Sequence, residues 1–415
     1  MAMATMSRRR PELRLRATSG GRLAARAALG LGIATLSLVV TVDRVFGARA
    51  PGVAARWGSG AAVTQAARAD RLAQPGGSRA GLIEAERLAR RALLREPSSV
   101  PAVRVLGQAA ALRGDLPRAN RLFRYSEQLS RRDLLTQIWL IEEGVRRGDI
   151  AGTLTHYDRA LRTVGRARAV LFPVLISAMS TPDVAAGAER LMAQRTAWGP
   201  DFLAVMAQSP NASPDALARL AMAARLRPDV AAERGSLDAI LQRLVASGRH
   251  VAAYTLWRRV LGVPGAGTRV RNGGFESDPL PPPFDWRFAN EGDRSATREP
   301  SDTGIALVLR ATNGTSGEFA RQLLLLQPGR YRIDLTSSGA SADRLSHALL
   351  AVTCAAGGEL LRLPLSAVAK TRLNGAFSVP PGCRAQTLTI AAPTGLGDGN
   401  DGVIVDDVTI VPVQR

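Results

Sequence analysis

Residues 106–126 read LGQAAALRGDLPRANRLFRYS, and residues 140–160 read LIEEGVRRGDIAGTLTHYDRA. The two stretches begin 34 residues apart and share one skeleton. Leu106-Gly107, Ala110, Gly114, Ala119, Phe123 and Ser126 fall in step with Leu140, Gly144, Gly148, Thr153, Tyr157 and Ala160. Apolar positions recur at the helical period on both sides of a Gly-Asp pair, which stops one helix and starts the next. Each stretch therefore predicts a helical hairpin, and a fixed period predicts stacked hairpins.

The repeat continues in both directions. Ala85, Ala89, Ala92 and Pro97 repeat the second-helix half upstream, and Ile240-Leu241, Leu244, Gly248, Ala253, Trp257 and Val260 repeat the whole downstream. This spacing resembles the tetratricopeptide repeat (TPR), which implies a superhelix of helix pairs with a groove for a protein partner. Phe123, Tyr157 and Trp257 stand where that family packs a bulky side chain between hairpins. From Arg168 to Pro228 the pattern blurs, although Thr181-Pro182-Asp183 and Ser213-Pro214-Asp215 still read as helix starts. The expected array spans 55–262.

After the glycine-rich break at 262–267 the texture changes to short apolar runs separated by Gly, Pro, Asn and Asp, as in an all-β sandwich. Asn272-Gly273-Gly274-Phe275-Glu276, Phe284-Asp285-Trp286, Gln322, Leu326-Gln327-Pro328-Gly329-Arg330-Tyr331 and Val405-Asp406-Asp407-Val408-Thr409-Ile410 resemble the jelly-roll carbohydrate-binding modules, which are galactose-binding-like in fold. The resemblance covers 268–415. It implies a structural calcium at Glu276 and Asp407, with Asp406 as the alternate, and no other cofactor. Trp286 is the one tryptophan of this region, and so the candidate face for stacking a sugar, with core packing as the rival role. The fold class is α then β.

The net charge is +20. From Thr268 onward 15 basic residues balance 15 acidic ones, so the excess lies upstream. Lys370 is the only lysine. No basic run interleaved with aromatics suggests nucleic-acid binding, and no zinc-finger or RNA-recognition pattern occurs.

Seven arginines in 1–26 precede the apolar run Ala27–Val42. The expectation is a basic cytoplasmic segment (1–22), a single membrane span at 23–46, and everything beyond it in the periplasm of a bacterial envelope. A cleaved signal peptide is the alternative, with Ala48-Arg49-Ala50 as its site, although Pro51 follows directly. Export would let Cys354 and Cys383, the only cysteines, pair across a loop of about 30 residues.

A search for catalysis finds no nucleophile elbow, no phosphate loop and no metal spacing around His156, His250 or His347. The leading expectation is a non-catalytic, membrane-anchored scaffold for a protein partner of envelope or exopolysaccharide assembly. The alternative is a lectin-like polysaccharide binder acting through the sandwich, and a glycan-processing enzyme comes third.

Overall fold

A computed structural model describes residues 50–51, 61–73, 78–264, 269–311, 315–339, 348–365, 370–393 and 402–413. The expected basic segment and membrane span at 1–46 lie outside these. Among the described residues, no helix is long and apolar enough to cross a membrane.

The described helices are α1 (Ala62–Leu72), α2 (Arg79–Arg95), α3 (Val100–Leu112), α4 (Leu116–Leu129), α5 (Leu134–Arg146), α6 (Ile150–Thr163), α7 (Ala167–Ala178), α8 (Pro182–Ala193), α9 (Gly199–Gln208), α10 (Pro214–Ala224), α11 (Ala231–Ala246) and α12 (His250–Leu261). The repeated Gly-Asp pair has a local cause. Gly114 and Gly148 take left-handed backbone angles (φ +79° and +69°) that a side chain would oppose. Asp115 and Asp149 then accept the backbone N–H of Arg118 and Gly152, capping α4 and α6.

The chain divides into two compact units, 1–164 and 165–415. In the first, α1 packs on α2, α3 on α4 and α5 on α6, as consecutive hairpins. Phe123 and Tyr157 are buried in it at their equivalent positions. In the second unit the order changes: α8 packs on α10 and α9 on α11, each on its next-but-one neighbour. This is the stretch where the sequence repeat blurs. The same unit contains the whole sandwich, so the division falls at Val164/Gly165 and not at the glycine-rich break.

The strands are β1 (Arg287–Phe288), β2 (Asn290–Glu291), β3 (Arg294–Ser301), β4 (Gly304–Ala311), β5 (Gly317–Leu324), β6 (Gly329–Gly339), β7 (Leu349–Cys354), β8 (Glu359–Pro364), β9 (Thr371–Val379), β10 (Gln386–Ala392) and β11 (Val403–Pro412). They form a five-stranded sheet, β1-β5-β10-β7-β8, and a six-stranded sheet, β2-β3-β4-β11-β6-β9. Every described pairing is antiparallel. Side chains alternate in and out along each strand, and the inward sets (Leu307, Ile333, Val352, Leu388, Ile390 and Val405 among them) make one core. Cys354 and Cys383 form a disulfide at its edge, with Cα atoms 5.6 Å apart.

The opening motif is laced to β11. Val408 N–H donates to Gly273 O at 2.9 Å, where a bulge after Asp406 breaks the β11–β6 register. A Cβ on Gly273 would stand 1.9 Å from Val408 O, so only glycine fits.

Candidate ligand-binding groove

One correction follows from where the expected site residues sit. Trp286 is 1% exposed and packs in the sandwich core, its Nε1–H donating to Asn272 O at 3.1 Å. A ring enclosed by protein on both faces cannot stack on a sugar, so the rival core role is the right one. Among the described residues, the outward face of the five-stranded sheet presents threonines, arginines and small or aliphatic residues.

The acidic residues do converge. A Cβ on Gly274 would lie 3.8 Å from Asp407 Oδ1, 3.9 Å from Asp406 Oδ1 and 3.9 Å from Glu276 Cγ. Asp407 adopts a left-handed conformation at the bulge (φ +53°). Glu276 Oε1 accepts Ile305 N–H at 3.1 Å, and Asp406 Oδ1 accepts Asp407 N–H at 2.7 Å. Burial, with repulsion from Asp407 and Glu276, pushes the Asp406 carboxyl above the usual range, against the pull of the Asp407 N–H and Lys370. These are hard oxygen donors of the kind calcium takes. Among the described residues, however, no three Asp, Glu, His or Cys side chains are grouped as a metal cage.

Another opening lies on the outer face of the five-stranded sheet. Gln386, Leu388 and Ile390 of β10 point inward, so Thr387 and Thr389 point outward beside their register partners Leu323 and Arg321. Arg321 is in turn paired with Arg287 of β1. Against this face stands α11, offering Asp238, Leu241, Gln242, Val245 and Ala246. Pro282 and Pro283, joined by a cis peptide bond, close one end. The cleft between them has a volume of about 400 Å³. A second hollow of about 440 Å³ shares Arg287 and Arg321 and runs on past Phe288, Asn290 and Glu318. The two hollows meet at these two arginines.

Their polar groups are partly committed. Arg321 Nε reaches Glu318 Oε1 at 3.4 Å, and Arg294 Nη2 reaches Glu291 Oε2 at 2.6 Å. Asp238 Oδ1 is buried with no hydrogen-bond partner among the described residues. Burial pushes the Asp238 carboxyl above its ordinary value, with Arg234 pulling the other way. An unpaired buried oxygen is costly, and a ligand hydroxyl would satisfy it.

The helix wall is held by an aromatic junction. Trp257, 1% exposed at the end of the helical region, donates Nε1–H to Pro281 O at 2.6 Å. Phe284 packs edge-on against Trp257 (5.7 Å between centroids) and Tyr254 (5.0 Å). Arg271 lies over the Trp257 ring at 5.7 Å and meets Asp285 at 3.2 Å. Gln322 fixes the backbone of Arg271, receiving its N–H at 2.8 Å and donating to its O at 2.9 Å. Sequence reasoning missed Asp238, Gln242, Arg287 and Arg321, because a helix and a sheet far apart in the chain supply them.

No family model matches this chain, and no curated protein matches it. Among solved structures, the chain is similar to the enzymatically active domain of a bacteriophage tailspike protein (13% identity, TM-score 0.26, 35% of this chain), of which it spans 21%. It is similar to a structure titled "CBM4 structure and function" (16% identity, TM-score 0.26, 35% of this chain and 99% of that one). It is also similar to a family 61 carbohydrate-binding module in complex with β-1,4-galactotriose (16% identity, TM-score 0.24, 35% and 97%). At these TM-scores the likeness carries no argument about ligand or activity.

Proposed function

We propose that this protein binds a carbohydrate polymer in the groove between α11 and the five-stranded sheet. The observation that carries the reading is the groove's lining. Leu241, Val245, Pro282 and Leu323 give apolar walls, while Asp238, Gln242, Arg287, Arg321 and Thr387 bring donors and acceptors from both sides. Apolar walls with a few convergent polar groups suit a sugar ring, which presents hydroxyls at its edge and C–H groups on its face. This reverses the order suggested by the sequence, which put the protein scaffold first.

Binding without catalysis is part of the reading. Its support is the sequence, in which no motif singles out the pair of carboxylates that glycoside hydrolysis uses. Export across a membrane also belongs to it, supported by the Cys354–Cys383 disulfide, a bond of oxidising compartments. So does a structural calcium ion held by Glu276 and Asp407, with Asp406 as the alternate. Its support is the mutual repulsion of carboxylates around Gly274, which a divalent cation would relieve.

The test is calorimetric titration of the purified full chain with xylan, β-glucan and β-1,4-galactan, alongside Arg321→Ala and Gln242→Ala. Binding should weaken about tenfold in each variant, since each removes hydrogen bonds to the ligand. Binding equally tight in both variants, or no binding of any polysaccharide tried, would sink the reading.

A further inference from the structure

A separate cavity of about 430 Å³ lies where the α8–α9 and α10–α11 connections meet. Its floor is apolar: Met192, Ala224, Leu226 and Val230. Its polar side is rich in donors. Helices α9 and α11 both begin here; Gly199 N–H of α9 donates to Thr196 O at 3.0 Å and Pro200 has no N–H, whereas Val230 gives the start of α11 no side-chain cap. The first N–H groups of a helix need acceptors, and its N-terminus favours negative charge.

Two guanidinium groups stand at the rim, Arg195 and Arg227. The nearby acids are already engaged. Glu233 accepts the Arg227 side chain at 2.9 Å and its N–H at 2.7 Å, with Arg195 at 3.5 Å, while Asp201 is paired with Arg168. The independent sign of a ligand is Thr196. It lines the cavity, is 3% exposed, and its hydroxyl has no hydrogen-bond partner among the described residues. Hydroxyls so deeply buried are nearly always paired, because burial strips away the water that would otherwise satisfy them.

We propose that this cavity binds a carboxylate carrying a short aliphatic tail. The carboxylate accepts from Thr196 Oγ1–H and the uncapped start of α11, with the guanidinium groups beside it. The tail lies on Met192, Leu226 and Val230. Helix N-termini are ready acceptors of anions, and the apolar floor selects against a bare inorganic ion. The same head group could come from a free acid or from the end of a peptide.

The experiment follows thermal stability and ligand-observed NMR of the full chain with hexanoate, hexanol, and N-acetyl-Ala-Leu as free acid or amide. Hexanoate and the free acid should bind, and hexanol and the amide should not. The tighter of the two acids identifies the source. Thr196→Val, which keeps the shape and removes the hydroxyl, should weaken hexanoate about fivefold. Ala224→Leu, which fills the floor, should abolish binding, and it decides the matter if Thr196→Val does not fold. Hexanol binding as well as hexanoate would overturn the proposal. So would no carboxylate binding at about 10 mM, well above the Kd expected of even a weak site, or hexanoate binding unchanged in Ala224→Leu.

Discussion

The indole N–H of Trp257 donates to the carbonyl of Pro281 at 2.6 Å, tying the final described helix to the segment that opens the sandwich. The bond and the surrounding rings make this junction a small core of its own. Trp257→Phe keeps most of the packing and strands the carbonyl, so it should cost about 1 kcal/mol in denaturant unfolding. Trp257→Ala should cost about 3–5 kcal/mol and should also loosen any glycan held against α11.

Limited proteolysis reads the same organisation. The compact units divide at Val164/Gly165, and α7–α12 fall in one unit with the sandwich. Cleavage near Arg166 or Arg168 should release a stable fragment containing α7 through β11, identified by mass spectrometry. A stable sandwich beginning near residue 268, with the six helices degraded, would contradict the division.

Much of this organisation was legible in the sequence, for local reasons. Gly-Asp at a fixed interval marks turn and cap together, so the hairpins around Phe123 and Tyr157 could be placed from periodicity alone. Strand alternation such as that of β10 is equally local. The groove was not legible. Asp238 and Arg321 lie 83 positions apart in the sequence and meet only because α11 docks on a sheet face. Trp286 drew attention as the lone tryptophan of its region, but residue type does not say which face of a sandwich a ring will occupy. The glycine-rich break likewise looked like a boundary because composition changes there, while Trp257 and Phe284 pack across it.

Acid titration offers a signed prediction at Asp406, 6% exposed. Its folded carboxyl is raised by burial first and then by Asp407 and Glu276, so the folded state holds the proton more tightly than the unfolded chain does. The stabilisation from that proton is full below the unfolded value of about 4 and is lost as pH rises through the folded one. Asp406→Asn, which can still accept the Asp407 N–H, should therefore raise the Tm at pH 7 and flatten its fall above pH 4. Glu299 has the opposite sign. Arg310 and Thr297 hold it at about 2, so its contribution is present above its ordinary value and is lost as pH falls toward 2.

Calcium should act at the same place. Added in millimolar amounts, it should raise the Tm of the unaltered chain and leave that of an Asp406→Asn, Asp407→Asn double variant unmoved. Equal shifts in both, or no shift in either, would remove calcium from these residues.

Gly273 allows no side chain. Gly273→Ala would drive a Cβ against Val408 O, and one strand or the other would have to retreat. The expected loss is about 1–3 kcal/mol, measured by chemical denaturation, with the largest changes in hydrogen exchange at β11 and at residues 270–276.

That lacing also sets an order of events during synthesis. β11 sits inside its sheet, between β4 and β6, and grips the opening segment through Val408. Pairing between ends so distant in the chain is slow to form. A nascent sandwich lacking Val403–Pro412 has a gap in the middle of its six-stranded sheet. Pro281 and Phe284, the surface on which Trp257 rests, belong to the same opening stretch. The helices that wall the groove therefore gain their docking surface only after the closing strand has emerged. A premature stop before Val403 would leave a chain with exposed strand edges, a substrate for quality-control proteases.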